Sequence, residues 1–197
     1  MECRKYLIIF LILVSNTVIA QSISKNALYL SQELNFGNYL GFNLGLNYDF
    51  NKRQSVKAGY DLNFRIPRSR PKDYSPDLFN SLIQGVKFPY EQMQTWQLTV
   101  GNIYNLRNDG SIRLKLSFGV GYTTFSEPKE WQESQDDHTG GNYTWENKNR
   151  YTTSLIINPK LEIPMTSNYG VSISPVLHLN REIFYYGISL GQLLLMD

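Results

Sequence analysis

The chain of 197 residues contains a single cysteine, Cys3, close to the amino terminus. The remainder of the chain therefore has no disulfide, no thiolate metal site and no cysteine nucleophile. Charge is also sparse, since 19 Lys and Arg residues stand against 17 Asp and Glu residues, for a formal net charge of +2. So small an excess, without a dense basic stripe, does not favour nucleic-acid binding.

Long hydrophobic runs are scarce as well, and the clearest one lies near the amino terminus. A basic start precedes the apolar segment 6–14, and Val18-Ile19-Ala20 follow as a small-residue cleavage site. This order is typical of a secretory signal peptide, and the apolar segment is shorter than a membrane-spanning helix of ~20 residues. We therefore expect residues 1–20 to be a cleaved export signal and residues 21–197 to form one domain.

The sequence is rich in a two-residue alternation. Within residues 40–50 every second position is Leu, Phe or Tyr, and the positions between are Gly, Asn or Asp. The same alternation recurs at 56–66, 112–122, 151–163 and 171–179. It predicts strands with one apolar and one polar face, and 14 Tyr, 10 Phe and 14 Gly residues agree with an all-β chain.

Turn residues divide the chain into eight predicted strands, and the connections between them are unequal. The strands lie near 26–36, 39–50, 55–66, 94–104, 112–125, 150–163, 169–180 and 184–195. The two long connections, 67–91 and 126–149, are the third and the fifth, so both emerge at the same end of an up-and-down sheet. Short turns at one end and long loops at the other are typical of transmembrane β-barrels.

Charge separates completely between the two faces of the five clearest strands. Their apolar stripe carries no Lys, Arg, Asp or Glu, whereas the complementary stripe carries several. A Lys or Arg at the midplane of a bilayer costs ~2–4 kcal/mol, which gives a physical reason for the separation. The same alternation also fits a soluble lipocalin-like barrel with its apolar face inward, but the sorting of the loops favours an apolar face toward lipid.

Together these features resemble the small eight-stranded outer-membrane β-barrel proteins of Gram-negative bacteria, over residues 21–197. The resemblance implies an all-β, antiparallel, up-and-down eight-stranded transmembrane barrel of porin-like type, in contact with outer-membrane lipid. The chain departs from that family by ending in Leu195-Met196-Asp197 rather than in an aromatic residue. Pro159 and Pro175 also fall inside neighbouring strands, where we expect a β-bulge at each to accommodate the missing N–H group.

The polar stripe is expected to form a charge network in the lumen. Its members are Glu33, Asp49, Lys57, Asp61, Arg65, Arg113, Lys115, Lys160, Glu162 and His178. Within this set, Glu33, Asp61 and Arg65 are predicted to pair near the loop end. The network could gate ions, but buried charges need partners and eight strands leave a narrow interior, so a closed plug is the favoured interpretation.

A hydrolase is the main alternative to a non-enzymatic barrel. His178 invites comparison with outer-membrane lipid A deacylases, which use a histidine, a serine two residues later and a glutamate further along. Asn180 occupies the position of that serine here, so only Ser174 or Ser189 could act as nucleophile. The adjacent residues Asp136-Asp137-His138 cannot wrap a cation by themselves, and neither a metal nor a cofactor is expected.

The two long loops are the expected site of contact with a partner. Aromatic residues favour recognition surfaces, although they also form headgroup belts and internally packed lids. The candidates for contact are Tyr74, Phe79, Trp131, Tyr143 and Trp145. The sequence therefore predicts a non-enzymatic barrel whose loops meet an external ligand or protein or support envelope integrity. The deacylase-like hydrolase and the lipocalin-like binder remain the alternatives.

Overall fold

The computed structural model describes residues 26–51, 53–74, 89–107, 110–133, 143–166 and 168–196. These residues form eight strands: β1 (Ala27–Gly37), β2 (Leu40–Phe50), β3 (Gln54–Arg65), β4 (Glu91–Asn105), β5 (Arg113–Glu133), β6 (Tyr143–Pro164), β7 (Tyr169–Leu179) and β8 (Phe184–Met196). Among them, no helix has the length and apolar character needed to cross a membrane. The predicted signal peptide, Phe79 and Asp136-Asp137-His138 lie outside the described residues.

The eight strands close into one barrel. Each strand pairs antiparallel with the next, and β8 pairs with β1 to complete the ring. The predicted strand number, up-and-down order and fold class are therefore confirmed. Closure leaves the ring itself without an unpaired edge, as a sheet within a bilayer requires.

The apolar stripe of each strand lies on the outside of the barrel. Leu40, Trp96 and Phe118 are 61%, 66% and 62% exposed, whereas Asn43, Thr95 and other members of the polar stripe are buried inside. A lipocalin-like barrel would have the reverse arrangement, so that alternative is wrong. The exterior is the kind of surface that hydrocarbon, rather than water, covers favourably.

Buried side chains occupy the lumen. Near the long-loop end, an apolar cluster forms from Tyr39, Met93, Phe125, Val176 and Tyr185. Below it the buried residues are mostly polar or charged. An eight-stranded barrel is just wide enough for such filling.

The hairpin between β5 and β6 corrects the predicted loop 126–149. β5 continues to Glu133 and β6 begins at Tyr143, and the two strands remain paired from Glu127↔Lys148 to Glu133↔Tyr143. A bulge shifts the register between Lys129 and Gln132, where Glu130 adopts a positive φ of 54°. The prediction failed because this extension lies beyond the apolar belt, so no environment imposes the two-residue alternation there.

Pro159 and Pro175 are accommodated without the expected bulges. Pairing of β6 with β7 has the same register on both sides of the prolines, from Ile157↔Leu177 to Leu161↔Ile173. That register sets the two prolines opposite each other. Two residues that lack an N–H group thus interrupt the ladder at one shared place, and no extra residue is needed in either strand.

Candidate functional site

An ion cluster lies in the lumen near the short turns, and it joins four strands. Arg113 Nη2 lies 2.7 Å from Glu162 Oε2, and Arg113 Nη1 lies 3.3 Å from Asp49 Oδ2. Lys115 Nζ lies 2.9 Å from Asp49 Oδ1 and 3.4 Å from Glu162 Oε1. The hydroxyl of Tyr29 donates to Glu162 Oε1 at 3.0 Å. Two cations and two carboxylates therefore neutralise one another inside the barrel.

A second cluster is centred on Glu33, which lines the same small cavity as Asp61. Its carboxylate pairs with Lys57 Nζ at 3.0 Å and also with Lys160. Lys57 Nζ donates to Asn43 Oδ1 at 2.7 Å. Gly45 leaves room for the Lys57 side chain, because a Cβ atom there would overlap Lys57 Cε. A cavity of about 10 Å³ beside this cluster has space for roughly one water molecule.

Asp61 and His178 lie on the side of the Glu33 cluster that faces the long-loop end. Asp61 accepts hydrogen bonds from Asn35 Nδ2 at 3.2 Å and from Gln97 Nε2 at 3.0 Å. Nε2 of the fully buried His178 lies 3.4 Å from Asp61 Oδ2, and its ring packs edge-on against Tyr185. The structure therefore places His178 among lumen side chains rather than at an accessible surface.

The two serines named with the hydrolase alternative are engaged elsewhere. Ser174 Oγ accepts from Asn158 Nδ2 at 3.2 Å, and Ser189 Oγ donates to Asn35 Oδ1 at 2.6 Å. Within the described residues, neither serine hydroxyl is hydrogen-bonded to His178. A serine hydrolase needs the nucleophile within hydrogen-bond reach of its base, and this arrangement does not supply it.

Arg65 does not share a group with Glu33 and Asp61, contrary to the prediction. Its Nε donates to Glu91 Oε2 at 3.1 Å, and its guanidinium lies 4.3 Å from the ring centroid of Tyr39. Glu91 was missed because β4 was predicted to begin at residue 94. Residues 91–94 place glutamines on the outward face and Met93 in the lumen, so the alternation gives no signal there, although Glu91 pairs with Arg65 across the sheet.

An aromatic cluster beyond the long-loop end of the barrel connects the segment after β3 with the β5–β6 hairpin. It consists of Tyr74 from the segment after β3 and Trp131, Tyr143 and Trp145 from the β5–β6 hairpin. The ring of Trp131 lies 5.4 Å from that of Tyr74, 5.6 Å from that of Trp145 and 6.4 Å from that of Tyr143. The bulge at Glu130 immediately precedes Trp131, and bulges re-aim neighbouring side chains.

Hydrogen bonds reinforce this aromatic cluster. The hydroxyl of Tyr143 donates to Asp73 Oδ2 at 2.8 Å, and Ser69 Oγ donates to the carbonyl of Pro128 at 2.6 Å. The hydrogen bond to Asp73 raises the pKa of Tyr143, and burial raises the pKa of Tyr74. Both phenols are therefore neutral at physiological pH. The hairpin and the segment after β3 form one joined surface.

Solved structures of other proteins share this architecture. A major outer membrane protein from Thermus thermophilus is 12% identical, with a TM-score of 0.57, and the match covers 87% of this chain and 99% of that chain. For the amino-terminal β-barrel domain of OprF from Pseudomonas aeruginosa the identity is 11%, the TM-score 0.50 and the coverage 87% and 96%. Ail, the attachment invasion locus protein of Yersinia pestis, is 14% identical with a TM-score of 0.50, and the match covers 87% of this chain and 97% of that chain.

This chain has the fold of a bacterial outer-membrane β-barrel. No protein-family model and no curated protein sequence matches it. The neighbours, together with the apolar exterior, support an outer-membrane location. At identities of 11–14% the likeness extends to the fold and not to a shared activity.

Proposed function

We propose that this chain is a non-enzymatic outer-membrane barrel that presents two external segments, 67–91 and 126–149, for surface interaction or envelope integrity. Residues 1–20 act as its export signal and are cleaved. The observation that carries the proposal is the aromatic cluster, because it holds both segments together above a lumen filled with side chains. A rigid barrel with a joined external surface is suited to contact rather than to transport or catalysis.

The filled lumen supports a scaffold role for the strands. Its cations are paired with carboxylates across the barrel, and the apolar cluster packs above them. An eight-stranded interior is narrow, and paired ions and packed side chains within it leave little room for water or hydrated ions. The external surface is then the part of the molecule available to a partner.

A polyanion is the ligand class that we propose for the segment after β3. Arg68, Arg70 and Lys72 are exposed within five residues, and Ser69 between them is fixed to Pro128. Clustered cations of this kind attract sulfate or phosphate groups over a Debye length of ~8 Å at physiological salt. Ail, which has the same fold, has been crystallised in complex with the heparin analogue sucrose octasulfate.

The proposal can be tested by shortening the hairpin. Residues 130–145 would be replaced by Asn-Gly, a two-residue turn that suits a β-hairpin between the paired residues Lys129 and Glu146. Two properties would be compared between wild-type and variant cells: adhesion to immobilised heparin and resistance to detergent. We expect the variant to lose at least one of them.

The control is an equivalent exchange at the opposite end of the barrel. Residues 107–110 in the connection between β4 and β5 would likewise be replaced by Asn-Gly. This control variant should change neither adhesion nor detergent resistance. Equal adhesion and equal detergent resistance of the hairpin variant, at wild-type levels of folded protein in the outer membrane, would overturn the proposed function.

A further inference from the structure

Two glutamines interrupt the apolar exterior at the place where the barrel closes. Gln32 of β1 lies between Leu30 and Leu34, and Gln192 occupies the outward face of β8. The register sets these two glutamines directly opposite each other, and Gln192 Nε2 donates to Gln32 Oε1 at 2.6 Å. An amide pair thus faces outward near the middle of both strands.

An amide pair that faces hydrocarbon is energetically unfavourable. Each amide offers two N–H donors and a carbonyl with two lone pairs, so one shared hydrogen bond leaves most of this capacity unused. An unsatisfied polar group in lipid costs several kcal/mol. The other outward amides on the described strands lie toward strand ends or in the extended part of β6, and are Gln54, Gln92, Gln94, Asn102, Asn147 and Asn149.

We propose that the β1–β8 face is a docking surface for a second copy of this chain. A second copy presents the same glutamine pair. A two-fold axis along the membrane normal places the two pairs at the same depth in the membrane. An amide is both donor and acceptor, so the glutamine pair is complementary to itself. Two copies facing each other would let all four amides use the donors and acceptors that lipid leaves idle.

The shape of the surface beside the glutamines agrees with this arrangement. A depression of about 480 Å³ lies next to the pair and is lined by Leu34, Phe42, Leu44 and Leu190. An apolar side chain from the opposite copy can enter it while the amides meet. The face therefore offers both elements of a packed transmembrane contact, which are van der Waals surface and a polar contact at its centre.

Cysteine cross-linking in native membranes tests the proposal. In a Cys3→Ser background, an introduced cysteine is the only thiol of the chain. Leu190→Cys places it on the β1–β8 face, and the matched control Leu98→Cys places it on β4, across the barrel; both leucines are about half exposed. We expect Leu190→Cys to give disulfide-linked dimers about tenfold more abundant than Leu98→Cys, as a contact favoured by about 1.4 kcal/mol would produce.

A second variant separates docking from chance collision. Gln32→Leu with Gln192→Leu, added to Leu190→Cys, should reduce the dimer to the level of the Leu98→Cys control while the barrel remains folded, since leucine suits the lipid face. Equal cross-linking at both cysteine positions would overturn the proposal. So would full cross-linking without the glutamines, or a cross-link from Leu190→Cys to a different protein. The outcome is independent of the external ligand, so this proposal can fail while the proposed function stands.

Discussion

The carbonyl oxygen of Pro175 accepts a hydrogen bond from Nδ2 of Asn158, and the two atoms lie 3.2 Å apart. In an uninterrupted ladder that carbonyl would accept from the main chain of β6, but the residue opposite is Pro159, which has no N–H group. A side chain of the lumen therefore takes the role of the missing main-chain donor. The amide of Asn158 also donates to Ser174, so it ties the proline pair to the interior network.

Asn158→Ala should lower the free energy of unfolding by about 1–3 kcal/mol, because it leaves a carbonyl of the barrel wall without its donor. Urea unfolding in lipid vesicles measures the effect. The control is the same substitution in a Pro159→Val and Pro175→Val background, where main-chain donors return and the loss should be smaller. An equal loss in both backgrounds would show that Asn158 does not serve the proline pair.

Glu33→Gln should destabilise the barrel by about 3–5 kcal/mol, because Lys57 and Lys160 would lose the carboxylate that neutralises both. Thermal unfolding followed by the gel shift of the folded barrel gives the comparison. Replacing the whole triad with Glu33→Leu, Lys57→Met and Lys160→Met should destabilise less than Glu33→Gln, since neither lysine is left unpaired and Asp61 keeps its hydrogen bonds from Asn35 and Gln97. A triple variant as unstable as Glu33→Gln would contradict this account.

Reconstitution into planar bilayers should give no steady ion conductance. The charges around Glu33 are paired, and the cavity beside them has space for about one water molecule, which is too little for a hydrated ion. Bilayers without protein supply the baseline. Stable current steps that scale with the amount of folded protein would show that the plug interpretation is wrong.

Trp131→Ala should make the segment after β3 more accessible to external protease. Its indole contacts Tyr74 and its Nε1 approaches Ser69, so removing it exposes the trypsin-sensitive bond between Arg68 and Ser69. Trypsin added to intact cells should then cleave there several-fold faster. Trp96→Ala, which removes a lipid-facing indole of β4, is the control and should leave the rate unchanged. Unaltered cleavage of Trp131→Ala would indicate that other contacts hold the segment.

The sequence predicted the parts of the fold on which two environments act. In residues 40–50, lipid on one side and a packed lumen on the other impose the alternation, so strand and orientation could be predicted together. Beyond the membrane, residues 126–133 carry no such alternation, and the extension of β5 was missed. The partners of Arg65 and Asn158 depend on register between strands distant in sequence, which no local pattern encodes.

The paired prolines Pro159 and Pro175 also make the barrel wall mechanically uneven around its circumference. Because both residues lack an N–H group, the boundary between β6 and β7 has fewer main-chain hydrogen bonds at the proline pair than an uninterrupted ladder would have. The adjoining boundary between β5 and β6 is the longest ladder, since it runs on into the external hairpin. Force applied to that hairpin by a bound partner is therefore transmitted along the β5–β6 pair. The interrupted ladder between β6 and β7 borders this pair. Deformation of the barrel under load would be concentrated along that ladder.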